Sequence, residues 1–183
     1  MKRIWVALTT VAVLGLVAAC GSSGPQRDIN DASNSLVFGY IDMGEAPTKI
    51  SGATIMQVAP PTDKPYWGMG VRNGLLYNYH LPPGSYQIAS ITGSSFWRGD
   101  YRYNFPRQGN EQAVRIGKPG IYFLGSYRYK GVKTGFFEGG KFDIERVNTP
   151  TEAELLRRIL EEDSAVKGSA WEAKIRQRLS QLK

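Results

Sequence analysis

Short apolar-rich runs separated by Gly and Pro occupy the middle of the chain, between residues 36 and 147. Apolar and polar side chains alternate within several of them, as in Tyr101-Arg102-Tyr103. A period of two is typical of strands, and turns about every 8 to 12 residues are typical of a sandwich or barrel. We therefore predict a mainly β domain over 35–148, an antiparallel β-sandwich. The predicted strands cover 36–43, 53–58, three runs within 68–91, 100–105, 113–116, 120–129, 135–137 and 141–147.

Two turn signals divide the runs within residues 68–91. Asn73-Gly74 lies between apolar-rich runs, and both residues tolerate the positive φ that a two-residue hairpin turn requires. Pro82-Pro83-Gly84 breaks the following run, because proline cannot donate to a strand ladder. The sequence thus predicts a hairpin centred on Asn73-Gly74 and a new strand after the prolines.

The period of the apolar positions changes to 3.6 after Thr149. We interpret Thr149-Pro150-Thr151-Glu152 as a helix start, with Thr149 as the cap and proline in the first helical position. A second capping signature begins at Ser169. We predict a helical hairpin over 149–183, packed either against the sandwich or against a partner. The apolar stripes are Leu155, Leu156, Ile159 and Leu160 in the first helix, and Trp171, Ile175, Leu179 and Leu182 in the second.

The segment NGLLYNYHLPPGSYQI, residues 73–88, resembles a corner of transthyretin-like and carboxypeptidase-regulatory-like β-sandwich domains. In those domains a Gly turn leads into an alternating strand, a Pro-Gly turn follows, and the next strand opens with a Tyr that packs on the core. The resemblance is close over these residues and looser over 36–130. It implies a transthyretin-like fold and a core position for Tyr86, and it describes part of a fold rather than an active site.

The first 20 residues have three parts: Lys2 and Arg3, an apolar run from 4 to 17, and small side chains leading to Cys20. This is the layout of a secretory signal peptide. The rival interpretation is a transmembrane helix. It is disfavoured because about 20 apolar residues are needed to cross a bilayer, and this run includes two threonines.

Val17-Ala18-Ala19-Cys20 resembles the lipobox of bacterial lipoproteins. The resemblance implies that Cys20 receives a diacylglycerol thioether, that the signal peptide 1–19 is removed, and that the new amino terminus is acylated, commonly with palmitate. Gly21, where retained inner-membrane lipoproteins often have Asp, implies an outer-membrane location facing the periplasm. The chain has no other cysteine, so no internal disulfide competes for Cys20. Residues 21–34 are small, polar and turn-forming, so we predict a lipidated flexible tether over 20–34.

The charge of the chain is mildly basic and spread out. Loss of Lys2 and Arg3 with the signal peptide lowers the net charge from +7 to +5. The remaining chain contains no block of five like charges, whereas nucleic-acid binding usually depends on a concentrated basic stripe. We therefore predict no nucleic-acid partner.

Candidate chemistry is sparse. His80 is the only histidine, which excludes a metal site built on paired histidines and any catalytic triad that does not use this residue. Residues 135–142, GFFEGGKF, have P-loop spacing, but Phe142 stands where Ser or Thr binds magnesium and a strand pattern follows. We predict no catalytic residue, no metal and no cofactor, and hence a protein that is not an enzyme.

Aromatic side chains are the best candidates for a binding surface. Core packing is the first interpretation, since sandwiches bury such faces. If exposed, the rings would form a stacking platform for a sugar or a protein partner. The candidates are Tyr66, Trp67, Trp97, Tyr101 and Tyr103.

The expected function follows from the anchor and from the lack of catalytic signals. We expect a lipid-anchored, noncatalytic protein of the bacterial cell envelope that acts as a protein-interaction or structural accessory module. The alternative is a lipoprotein that binds glycan or peptidoglycan through exposed aromatic residues. The membrane, reached through the lipid on Cys20, and an envelope protein are the expected partners.

Overall fold

Nine strands and two helices make up the described part of the chain in a computed structural model. The structure describes residues 28–46, 48–95, 99–105, 112–131 and 142–182. Cys20, Trp97 and the predicted strand 135–137 lie outside these residues. The strands are β1 Ser35–Asp42, β2 Ile50–Ala59, β3 Tyr66–Arg72, β4 Leu75–Leu81, β5 Gly84–Ser95, β6 Gly99–Asn104, β7 Ala113–Ile116, β8 Ile121–Gly131 and β9 Phe142–Val147, and the helices are α1 Glu152–Glu162 and α2 Ala170–Gln181. The mainly β prediction with C-terminal helices is confirmed.

The strands form one sheet in the order β6-β5-β2-β3-β4-β1-β8-β9. Strand β7 pairs with the first part of β5, from Gly84 to Gln87. All pairings are antiparallel except that of β1 with β8, where Leu36 pairs with Ile121 in parallel register. The prediction of a purely antiparallel sheet was therefore wrong, and the sheet is mixed. The reason is that β1 has no hairpin partner, and it inserts between β4 and a strand that follows far along the chain.

Strand β3 belongs to both halves of this curled sheet. Its first part pairs with β2, where Tyr66 faces Met56 in register, and its last part pairs with β4, where Arg72 faces Leu75. The two halves enclose one apolar core. Its buried members are Val37, Ile41, Ala53, Ile55, Met69, Leu76, Leu81, Tyr86, Ile88, Ile91, Tyr103, Phe105, Ile116, Leu124, Tyr127 and Tyr129.

The helices cover the outer face of β1 and β4. Because strand residues alternate between faces, Val37 lies in the inner core while Leu36 and Phe38 lie in a second cluster under the helices. This answers the question left open by the sequence, since the helices pack on the chain's own sheet. The buried members of the second cluster are Leu36, Phe38, Leu75, Tyr79, Leu155, Leu156, Ile159, Val166, Trp171 and Ile175.

A bulge in β8 reverses which of its alternate residues face the inner core. The register with β1 shifts between Phe38 and Tyr40, and Gly125 there adopts φ +110°, which favours glycine. Before the bulge Phe123 packs with the helix cluster, and after it Tyr127 packs in the inner core.

The hairpin predicted at Asn73-Gly74 is confirmed. Both residues have positive φ, +46° and +81°, and they join β3 to β4. This is the backbone of a type I′ turn, whose twist matches that of the flanking strands. The break at Pro82-Pro83 is also confirmed, because β4 ends at Leu81 and β5 begins at Gly84.

The first helix begins later than predicted. Its cap is Thr151 rather than Thr149: the Glu154 amide donates to the Thr151 hydroxyl at 3.3 Å, and the Thr151 amide donates to the Glu154 carboxylate at 2.6 Å. These two bonds form a capping box two residues downstream of the expected one. The second helix is capped by Ser169 as predicted, and its hydroxyl accepts from the Trp171 amide.

Residues 28–34 pack against the body. Two turns centred on Asp28 and Asp31 form there, Ile29 packs on the helix cluster, and the Asn30 side-chain oxygen accepts from the Ala170 amide at 2.9 Å. Residues 28–34 of the segment predicted as a flexible tether over 20–34 thus contact the helices, and residues 20–27 lie outside the described residues.

Candidate functional site

The five aromatic candidates do not form one platform. Tyr66 is 55% exposed, whereas the next residue, Trp67, points to the other face of β3 and packs against the inner core. Tyr101 packs against that core and Tyr103 lies in it, with 8% of its surface exposed. Because neighbouring residues on a strand point to opposite faces of the sheet, only Tyr66 among the described candidates faces outward.

Tyr66 borders a groove of about 440 Å³ on the outer face of β2, β3, β5 and β6. This is the half of the sheet that the helices do not reach, because they lie over β1, β4 and β8. The groove is lined by Thr54, Met56, Tyr66, Gln87, Ala89, Arg102, Asn104 and Phe105.

Strand register brings the groove residues together from distant parts of the chain. Met56 on β2 pairs with Tyr66 on one side and with Gln87 on the other, which gives a row across three strands. On β6 the Arg102 guanidinium donates from Nε to the Asn104 side-chain oxygen at 3.1 Å. That bond restrains the guanidinium beside an aromatic ring and an amide, so planar donors and acceptors line the groove next to an apolar surface.

One of the exposed apolar side chains lines the groove. Among the described residues, the large hydrophobic side chains that stay exposed are Tyr66 and Val58, at 55% and 45%. Val58 follows two residues after Met56 on β2, at a point where the register with β5 shifts. The Tyr66 ring therefore offers an apolar contact surface at the edge of the groove, with a hydroxyl group that can form hydrogen bonds.

The remaining sequence signals do not converge on this groove. His80 lies near the end of β4, and its ring centroid is 6.4 Å from that of Tyr79 on the helix side of the sheet. Within the described ranges no group of three His, Cys, Asp or Glu side chains is arranged to hold a metal ion, and no helix there is long and apolar enough to span a bilayer.

The groove could be recognised from sequence only in part. The alternation of β6 places Arg102 and Asn104 on the face opposite the tyrosines, and this was visible in the sequence. The sequence around Met56 and Gln87 did not indicate a groove, because the two residues meet only through the pairing of β2 with β5, which are not consecutive strands.

Comparison with known proteins finds no relative for this chain. No protein-family model matches it, and neither a curated protein nor a solved structure similar to it was found. Function therefore has to be inferred from the residues themselves.

Proposed function

We propose that this chain is a lipid-anchored protein of the bacterial cell envelope that binds another envelope protein through the groove bordered by Tyr66. The anchor is Cys20, at the end of a sequence that resembles a lipobox, and the location is the periplasmic face of the outer membrane. The role is noncatalytic: the protein acts as an interaction or structural accessory module.

The observation that carries this proposal is the exposure of Tyr66, which lines the groove. Apart from Tyr66 and Val58, the large apolar side chains of the described residues are buried or partly buried. Aromatic anchors flanked by polar groups are the usual energetic centre of protein interfaces.

For the fold we propose a transthyretin-like β-sandwich. Support comes from the single core between the two halves of the sheet and from Tyr86, which is fully buried. The Tyr86 hydroxyl donates to the Pro82 carbonyl at 2.8 Å, and this bond ties the Pro-Gly turn to the core. The parallel pairing of β1 with β8 would make the chain a variant of that fold.

Glycan binding is the second candidate. It is favoured by the polar lining next to Tyr66, because sugars combine apolar ring faces with hydroxyl groups that bond amide and guanidinium side chains. Gln87, Arg102 and Asn104 provide those groups.

The anchor is tested by replacing Cys20 with Ala and fractionating the cells. We expect loss of the acyl mass and release of the chain from the membrane fraction, because two acyl chains hold a protein stably at a bilayer. A variant that keeps its mass and stays fully in the membrane fraction would refute the anchor.

The groove is tested by placing a photocrosslinking residue at position 58 and crosslinking in cells. The matched control carries the same residue at position 161, an exposed position on α1. We expect a discrete protein adduct from position 58 that disappears in Tyr66→Ala, and none from position 161. Identical adducts from both positions would contradict the proposal. Retention on isolated peptidoglycan that depends on Tyr66, without a protein adduct, would establish the glycan candidate instead.

A further inference from the structure

A second groove, of about 580 Å³, lies between α2 and the turn that joins β7 to β8. The α2 residues on it follow the spacing i, i+3, i+4, i+7, so they form one stripe along the helix: Lys174, Gln177, Arg178 and Gln181. From the turn, Lys118 and Tyr122 line the other side. The Tyr122 hydroxyl donates to the Lys118 carbonyl at 2.7 Å, which holds the turn in place.

The side chains that line this groove carry a net positive charge. Arg178 is neutralised by Glu152, whose carboxylate accepts two bonds at 2.8 and 3.3 Å. In the part of the chain that the structure describes, neither Lys118 nor Lys174 forms a salt bridge, and the Lys174 ammonium lies 4.4 Å from the centroid of the Trp171 ring. Both lysines therefore line the groove without a carboxylate partner there.

Acidic groups at the same end of α2 are already engaged. Glu172 accepts from the Gly168 amide at 2.9 Å and from Arg176 at 2.9 Å. The Asp28 carboxylate accepts from the Asn30 amide at 2.8 Å. These contacts keep the carboxylates in local turns and pairs, and the lysines determine the charge that the groove presents.

The length of chain between Cys20 and α2 limits how far this end of the molecule can lie from the proposed anchor. The hydrogen bond between Asn30 and Ala170 places the N-terminal segment on the first turn of α2. Asp28 is eight residues after Cys20, and eight residues span at most about 28 Å when fully extended. Lys174 lies four residues beyond Ala170, a rise of roughly 6 Å along the helix.

We propose that the groove formed by α2 and the β7–β8 turn rests on anionic lipid headgroups, which orients the domain on the membrane. This inference rests on the proposed lipid anchor at Cys20. The short connection supplies a high local concentration of headgroups, and the two unpaired ammonium groups of Lys118 and Lys174 supply the complementary charge. The groove at Tyr66 then serves the protein partner while this second surface faces the bilayer.

The experiment uses the full acylated protein reconstituted into vesicles, with a fluorophore on Gln177→Cys. The label is selective because the acylated Cys20 carries no free thiol. Quenching by nitroxide-labelled headgroups is compared between neutral vesicles and vesicles containing phosphatidylglycerol, with Val58→Cys as the second label position. We expect stronger quenching at position 177 than at position 58 in anionic vesicles, reduced roughly twofold or more by high salt.

The charge test is the double variant Lys118→Glu and Lys174→Glu, which is expected to lose the excess quenching at position 177. Lys49→Glu with Lys64→Glu is the matched control: it changes the net charge equally at exposed lysines elsewhere and is expected to keep the quenching. Circular dichroism checks that both variants fold.

Two results separate the possible failures. Acylated protein that floats with the vesicles but shows equal quenching at both positions, or unchanged quenching in the Lys118 and Lys174 variant, would overturn the headgroup contact alone. Protein without acyl mass that does not float would overturn the anchor, and the headgroup contact with it.

Discussion

Removal of the Trp171 side chain tests whether the helices and the sheet are one cooperative unit. Trp171 is 1% exposed, and its ring lies 6.2 Å from that of Tyr79 on β4. A buried tryptophan removes roughly 200 Å² from water, which at about 25 cal/mol per Å² corresponds to about 5 kcal/mol. Alanine retains part of that contact, so we expect Trp171→Ala to lower the free energy of unfolding by about 3–5 kcal/mol.

Urea unfolding of the variant, followed by far-UV circular dichroism and by tyrosine fluorescence, measures this loss. With about 2–4 °C per kcal/mol for a chain of this size, the melting temperature falls by roughly 10 °C. Gln177→Ala is the control on the exposed side of the same helix, with an expected change within about 0.5 kcal/mol. A loss below about 1 kcal/mol, or a separate helical transition that leaves the strand signal intact, would refute the shared core.

Three further outcomes are expected. Gly74→Ala destabilises by more than about 1 kcal/mol in urea unfolding, because φ is +81° and a Cβ would lie 2.7 Å from the Ile41 carbonyl oxygen; Gly68→Ala, where a Cβ meets nothing within 4 Å, does not. Hydrogen bonds from Thr151 lower the pKa of Glu154 below 4.5, so the capping box stabilises at neutral pH and weakens as pH falls through that range, and Glu154→Gln flattens this acid limb of the stability curve. Burial and the hydrogen bond to Asp163 raise the pKa of Tyr79 far above 10, so the native protein keeps this proton while the unfolded chain loses it above pH 10. We expect Tyr79→Phe to be about 1 kcal/mol less stable than the parent protein at pH 7, and this difference to narrow above pH 10. Equal losses at the two glycines, an unchanged acid limb or a gap that stays constant at alkaline pH would contradict these expectations.

Features that depend on neighbouring residues were predictable from the sequence. The Asn73-Gly74 turn needs only two residues that accept positive φ, and the two faces of β6 follow from alternation alone. The helix stripes were predictable for the same reason, because residues three and four apart share a face.

Features that depend on tertiary choice were not predictable. The start of α1 is an example, since Thr149 with Glu152 and Thr151 with Glu154 both fit a capping box. The structure contains the second pair. The Ser126 hydroxyl donates a hydrogen bond to the Pro150 carbonyl and so restrains the chain just before the helix. The groove at Tyr66 is another example, because it depends on the pairing of β2 with β5, which are neighbours in the sheet but not in sequence.

The position of β1 has a consequence for the order of folding. Its two neighbours are β4 and β8. Leu36 can pair with Ile121 only after about two thirds of the chain, up to position 121 of 183, has been synthesised. Pairings between residues so far apart close slowly, because the loop entropy is lost before the contacts form. A chain built this way stays open while its C-terminal half is missing, which suits a protein that, under the proposed export, crosses a membrane before it folds.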